Sequence, residues 1–164
     1  MSPWISINQI GFNPVMTLVM KNELIDRARS LAAIAHVSQI DKAGLPYLGH
    51  VARVVERVKA AGHCCEAVAA AWLHDVLEDQ PEHADSVLLF PAAIVEAVDL
   101  LTRKKHVSID SYYAGIRSNR IALAVKAADI ADNSSAERLA LLSSEDRDRL
   151  LVKYSKAKMA LGLA

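Results

Sequence analysis

The chain has 164 residues, with nineteen Lys and Arg balanced by nineteen Asp and Glu, enough to bury roughly 68–70% of its unfolded surface as one domain. With 52% apolar and 23% charged residues, it falls outside the disordered class. Its zero net charge supplies no field toward nucleic-acid polymers or anionic membranes, so any bound anion must be held by a local cluster.

Six Gly and five Pro fall below the average combined share of roughly 12%, which favours helices over turn-rich sheets. No Lys or Arg precedes Lys21, so Met1–Met20 lacks the charged start of a secretory signal. Pro3, Gly11 and Pro14 interrupt it as a spanning segment. Residues 1–21 are read as an N-terminal extension, residues 22–164 as a single domain, and the location as cytoplasmic. A first helix is predicted from Asn22, an N-cap type, through Leu24, Ala28, Leu31 and Ala35 to about Gln39. The charged, Gly- and Pro-punctuated run from Asp41 to Pro46 reads as a loop. A second helix carries Val51, Val54, Val55 and Val58 on one face and stops at Gly62. The adjacent Cys64 and Cys65, the only cysteines, make no disulfide framework and are expected to be buried thiols. A third helix is predicted from about Cys64 to Glu78, before Pro81. Further helices read at Ala84–Leu89, Ala92–Thr102, Ile109–Ser118 and Arg120–Asn133. A last one is opened by a capping box of Ser143 and Asp146. The pattern is an all-α bundle.

Polar chemistry collects on the third helix. At about 100° per residue, His74, Asp75, Glu78 and Asp79 span an arc of about 140°, opposite Trp72, Leu73, Val76 and Leu77. A solvated polar face has the same pattern. Against it, no Lys compensates here, and clustered carboxylates repel unless a cation or a shared proton relieves them. His50, following Pro46-Tyr47, and Asp129 supply further ligands. Asp129 shares a face with Lys126 and Asn133 on an otherwise Ala-, Val- and Ile-rich helix. Two imidazoles and two carboxylates suit Mn, Fe, Co or Zn. The basic loop Arg103-Lys104-Lys105-His106 reads either as a solvated turn or as a phosphate clamp.

The order His50, His74-Asp75, Asp129 resembles that of the HD-domain metal phosphohydrolases. The surroundings carry the likeness further: Ala35-His36, Gln39, Lys42 and Pro46-Tyr47; the run Ala70–Asp79; Leu101-Thr102-Arg103; and Val125–Asp129 with Asn133. Over roughly residues 24–160 the chain resembles the hydrolase domain of RelA/SpoT-type proteins and the stand-alone small alarmone hydrolases. The resemblance implies an all-α HD-domain helical bundle and one divalent cation, usually Mn2+. The reaction it implies is hydrolytic removal of the 3′-pyrophosphate from guanosine or adenosine polyphosphates such as ppGpp. Carried over by position, His50, His74, Asp75 and Asp129 are the metal ligands. Glu78 and Asp79 become the catalytic pair that positions and deprotonates water, and Asn133 a nucleotide contact. Lys42, Arg103, Lys104, Lys105 and Lys126 are the cations expected to bind substrate phosphates.

One departure stands out. The family's Gln-Arg-x-Lys-like run is here Gln39-Ile40-Asp41-Lys42, which predicts looser discrimination of the base. Dinuclear HD phosphodiesterases use extra histidines in the interval that holds His83 and His106, but both fall in predicted loops, so one metal is expected. His36, His63, Tyr112 and Tyr113 read as packing or surface residues, His36 near the cleft. The alternatives are a related HD nucleotidase or phosphodiesterase acting on another nucleotide, and a non-catalytic alarmone-binding relative. The intact ligand set and the Glu78-Asp79 pair favour catalysis. The expected partner is a small nucleotide, with no nucleic-acid polymer and no membrane, and a homo-oligomer is compatible with this reading.

Overall fold

Helix-favouring composition and well-placed caps produce helices along the whole of residues 14–163, which the computed structural model describes, residues 14–17 by their backbone alone. In chain order these are α1 (Pro14–Ala35), α2 (Tyr47–Ala60), α3 (Cys65–Leu73), α4 (Val76–Asp79) and α5 (Ala84–Val87). Then come α6 (Ala92–Leu101), α7 (Ile109–Ser118), α8 (Arg120–Asn133), α9 (Ala136–Ala140) and α10 (Ser144–Leu161). A 3-10 turn at Pro81–His83 joins α4 to α5. No β-strand occurs among the described residues, only an isolated bridge between Ile40 and Pro46.

Helix α3 is the axis of the bundle. Its run Ala67-Val68-Ala69-Ala70-Ala71 is buried throughout, because small side chains let four neighbours, α1, α2, α6 and α8, close around it. Those neighbours turn matching faces inward: Ala28 and Ala32 from α1, the four valines of α2, Ile94 and Val98 from α6, and Ala122 and Val125 from α8. Each valine falls where a 3.6-residue period places it. Of the N-caps expected from sequence, the Ser143 box forms, while Asn22 lies inside α1; Asn119 caps α8 in addition. The Ser143 hydroxyl accepts the Asp146 N–H at 3.2 Å, and Asn119 Oδ1 accepts from Ile121 and Ala122, both at 3.0 Å.

Several expectations are corrected. Helix α1 begins at Pro14, not near Asn22, and runs across the expected boundary at 21/22. Proline suits a first helical turn, where its missing N–H costs nothing. The part of the expected extension before Pro14 lies outside the described residues. The helix also ends at Ala35, short of Gln39. The expected third helix is broken at His74-Asp75 into α3 and α4. His74 Nδ1 takes the Ala71 carbonyl at 2.8 Å, the acceptor a continuous helix would give to the Asp75 N–H, and Asp75 departs to φ −107°, ψ −1°. Helix α9, capped by Ser135, has too few residues to announce itself by periodicity. The thiols are not both buried: Cys64 is exposed and Cys65 partly so, because they stand at the N-terminus of α3 before it enters the core.

The loop after α1 closes on itself. Asp41 N–H donates to the Leu45 carbonyl at 2.8 Å, and Tyr47 N–H to that of Gln39 at 2.9 Å. Asp41 Oδ1 accepts from the Ala43 and Leu45 amides. Gly44, at φ +76°, supplies the left-handed turn that a side chain would strain. No helix among the described residues is long and apolar enough to cross a membrane.

Because α3 is surrounded on all sides, enlarging it should be costly. Ala70→Leu is expected to destabilise the fold by about 1–3 kcal/mol through overpacking, read as a lower urea midpoint.

Candidate metal centre

The break after α3 and the packing of α8 against α2 and α3 bring three side chains together. His50 from α2, His74 from the break and Asp129 from α8 are all buried. Each offers one ligating atom within 4.8 Å of the others. His50 Nε2 stands 3.3 Å from Asp129 Oδ1, and the two imidazole rings meet edge to face at 5.7 Å. Asp75 reaches the group through His74: its Oδ2 is 2.9 Å from His74 Nε2 and accepts the Tyr47 hydroxyl in a short hydrogen bond.

The donor set fits a divalent cation. Each histidine is held from behind by an acceptor at Nδ1, the Ala71 carbonyl for His74 and Asp132 Oδ2, at 2.8 Å, for His50. An imidazole that donates from Nδ1 presents Nε2 to a metal ion. His74 Nε2 is buried and makes no hydrogen bond, even to nearby Asp75. Its neighbour Asp75 Oδ2 stands 2.9 Å away without hydrogen-bond geometry, and a metal ion would satisfy both groups.

Charge in the centre is strongly coupled. Burial opposes ionisation of Asp129, but the Lys126 ammonium, His50 and His74 outweigh it and hold the carboxyl well below the usual range. Burial likewise disfavours charge on His74, and the Asp75 and Asp129 carboxylates overcome it, raising the imidazole to about 9 in the metal-free protein. Lys126 is half-buried, and although desolvation opposes its charge, Asp129 holds the ammonium charged, well above the ordinary lysine value.

A cavity of about 550 Å³ opens beside this group. Asp75 and Asp129 border it together with Glu78, Asp79, Lys42, Arg103, Lys126 and Asn133. Each carboxylate of the expected catalytic pair is held by one donor. Glu78 Oε2 accepts the Arg103 backbone N–H at 2.8 Å. Asp79 Oδ2 accepts Gln39 Nε2 at 2.7 Å. Gln39 is itself oriented by buried His36, whose Nδ1 lies 2.7 Å from Gln39 Oε1.

The expected phosphate cations divide. Lys126 Nζ pairs with Asp129 Oδ2 at 2.9 Å, and Asn133 Nδ2 donates to Asp129 Oδ1 at 2.6 Å, so both brace a candidate ligand at the cavity edge. Arg103 spends its guanidinium on the Lys104 and Val107 carbonyls. Lys104 and Lys105 do not line the cavity, because Lys104 is drawn to Asp99 at 2.6 Å and Lys105 is exposed. Neither His83 nor His106 borders the cavity. Tyr112 and Tyr113, read as packing or surface, both line it. Sequence reading also gave no role to Arg138, Lys153 and Tyr154, three further lining residues, or to Asp132. The signal for Asp132 was present, since it follows Asp129 by three residues on the same helix. For Arg138 none was, because its partner Asp41, at 2.8 Å, is 97 residues away.

No family model matches the chain. Among solved structures, that of a metazoan ortholog of SpoT, described as hydrolysing ppGpp and playing a role in starvation responses, superposes with a TM-score of 0.68. It is 25% identical, and the match covers 84% of this chain and 85% of that one. The chain is an all-α HD-domain bundle resembling the RelA/SpoT-type hydrolase domain. In that HD-domain frame, the buried His50, His74 and Asp129 form the group able to hold a divalent metal.

Two outcomes are expected. The chain should bind about one divalent cation, measured by equilibrium dialysis, and His74→Ala should weaken binding by more than the roughly 10–100-fold typical of losing an outer-shell partner. Asp41 and Asp132 are desolvated by burial, yet their hydrogen bonds to backbone amides, His50 and arginines lower both carboxyl pKa values. Their stabilisation is complete above the unfolded value of roughly 3.9 and is lost as pH falls through the folded values. The urea midpoint of the metal-free protein should therefore drop as the buffer is taken from pH 5 to pH 3.

Proposed function

We propose that the protein is a Mn2+-dependent phosphohydrolase that removes the 3′-pyrophosphate from guanosine or adenosine polyphosphates, acting in the cytoplasm. The observation that carries this reading is the buried meeting of His50, His74 and Asp129 beside a cavity that Asp129, Glu78 and Asp79 border. The likeness to a ppGpp-hydrolysing SpoT ortholog supports the choice of substrate. His50, His74, Asp75 and Asp129 would hold the metal. A divalent cation held there supplies Lewis acidity toward a phosphoryl oxygen and acidifies water.

The chain's own side chains do the rest. Glu78 and Asp79 are catalytic residues that take the proton of the attacking water. Each has one carboxylate oxygen committed to a positioning donor, which leaves the other oxygen to accept. Lys126 and Lys42 place positive charge at the cavity, as a polyphosphate requires of a chain without net charge. Asn133 holds Asp129 and stands at the substrate's edge. Ile40, Leu142 and Tyr154 add apolar and aromatic surface to the cavity lining, which suits the nucleoside. Ile40 stands where the related Gln-Arg-x-Lys-like run carries its arginine, and the neighbouring Asp41 is engaged by its own loop and by Arg138. The base therefore meets Ile40 instead of a charged group, which supports weak discrimination between guanine and adenine.

Glu78→Gln combined with Asp79→Asn should leave metal content unchanged and lower turnover by about 10²–10⁴, the usual contribution of general acid–base catalysis. The assay is pyrophosphate release with Mn2+ from ppGpp and from ppApp, and comparable rates on the two are expected. Turnover of neither, with hydrolysis of a different nucleotide, would move the assignment to a related HD nucleotidase. Loss of metal in the double variant would show that the pair are ligands.

A further inference from the structure

We propose that Asp132 is the positioning residue for His50: its carboxylate fixes the imidazole tautomer and ring orientation that make Nε2 available as a metal ligand. The inference rests on the metal-centre reading above and assigns a role to a residue outside the proposed ligand set.

Asp132 is 1% exposed, and both its oxygens are engaged. Oδ2 lies 2.8 Å from His50 Nδ1, and Oδ1 accepts Arg53 Nε at 2.9 Å. Arg57 and Arg138 stand within ionic reach, at 3.7 Å and 3.6 Å. A carboxylate among three guanidinium groups is ionised and can only accept hydrogen bonds. The proton between it and His50 therefore sits on Nδ1. The opposite nitrogen, Nε2, faces Asp129 Oδ1 at 3.3 Å and is the atom left for a metal held between them. A carboxylate behind a ligating imidazole also raises the basicity of the metal-binding nitrogen.

The centre thus uses two unlike devices. His74 is oriented by a backbone carbonyl, which any sequence supplies once the helix breaks there. His50 depends on a side chain delivered from α8, so its orientation is removable by substitution. The competing account is that Asp132 merely ties α2 to α8 through Arg53. That account makes the arginine pair, not the histidine contact, the part that matters.

The two accounts separate on metal affinity. In Asp132→Asn the arginines claim the amide oxygen, turning an N–H toward His50 and favouring the tautomer that protonates Nε2. Mn2+ titrated calorimetrically into the full chain should bind about 10–100-fold more weakly than to wild type, the usual cost of losing such a partner. Arg53→Gln breaks the ion pair and leaves the His50 contact, so it should weaken binding less. A dissociation constant for Asp132→Asn within about twofold of wild type, or an equal loss in Arg53→Gln, overturns the proposal. Absence of Mn2+ binding in wild type defeats the metal reading itself, and this inference with it. Circular dichroism of the metal-free variants establishes that they fold. Should Asp132→Asn fail to fold, long-range 1H–15N spectra of zinc-loaded wild type decide the matter. They should show His50 protonated at Nδ1 and metal-bound at Nε2, and an unprotonated Nδ1 overturns the proposal.

Discussion

Asp129 is a carboxylate buried in a bundle whose other inward groups are mostly Ala, Val, Ile and Leu. An unpaired charge in such a place costs several kcal/mol, so the surrounding structure is obliged to neutralise it. Lys126 and Asn133 do so from its own helix, and His50 and His74 stand against it from α2 and the α3–α4 break. The same obligation, passed outward, accounts for Asp132 and the arginines of α2 and α9 around it. Burying one polar cluster thereby sets the relative placement of four segments of the chain. The apolar packing around α3 makes that placement rigid.

Much of this was legible in the sequence. Helices α7 and α8 have the bounds that capping and periodicity suggest, because Ser108 and Asn119 are local signals that act locally. His50, His74 and Asp129 were legible as a set because polar groups projecting from apolar helices are costly to bury unless they meet partners. The break at His74-Asp75 was not legible. Periodicity describes side chains and is blind to a ring nitrogen that captures a backbone acceptor one turn back. The pairing of Lys104 was not legible either: the basic loop reads as a clamp or a solvated turn, while its partner in the structure, Asp99, sits on the preceding helix. The Asp41–Arg138 pair joins segments that only the complete fold brings together.

A chain without net charge can hold an anionic ligand only by sorting its charges in space. Here the acidic groups gather where a cation is expected, and Lys42, Arg138 and Lys153 line the remainder of the same cavity. The sorting is stabilised by contacts between distant segments. Gln39 takes Asp79 as a partner 40 residues on, and Gln80 donates back to Gln39 at 3.1 Å. The loop between α1 and α2 is thus tied directly to the end of α4 and the residue after it.

The donor that holds Glu78 is the main-chain N–H of residue 103, not the arginine side chain attached to it. Every amino acid except proline supplies that N–H. The anchoring of Glu78 is accordingly insulated from drift in side-chain identity at this position. The guanidinium above it ties down the Lys104 and Val107 carbonyls, so changes there alter the shape of the 103–107 loop. One residue therefore carries two separable duties, and only the loop-shaping duty is written in its genetic codon.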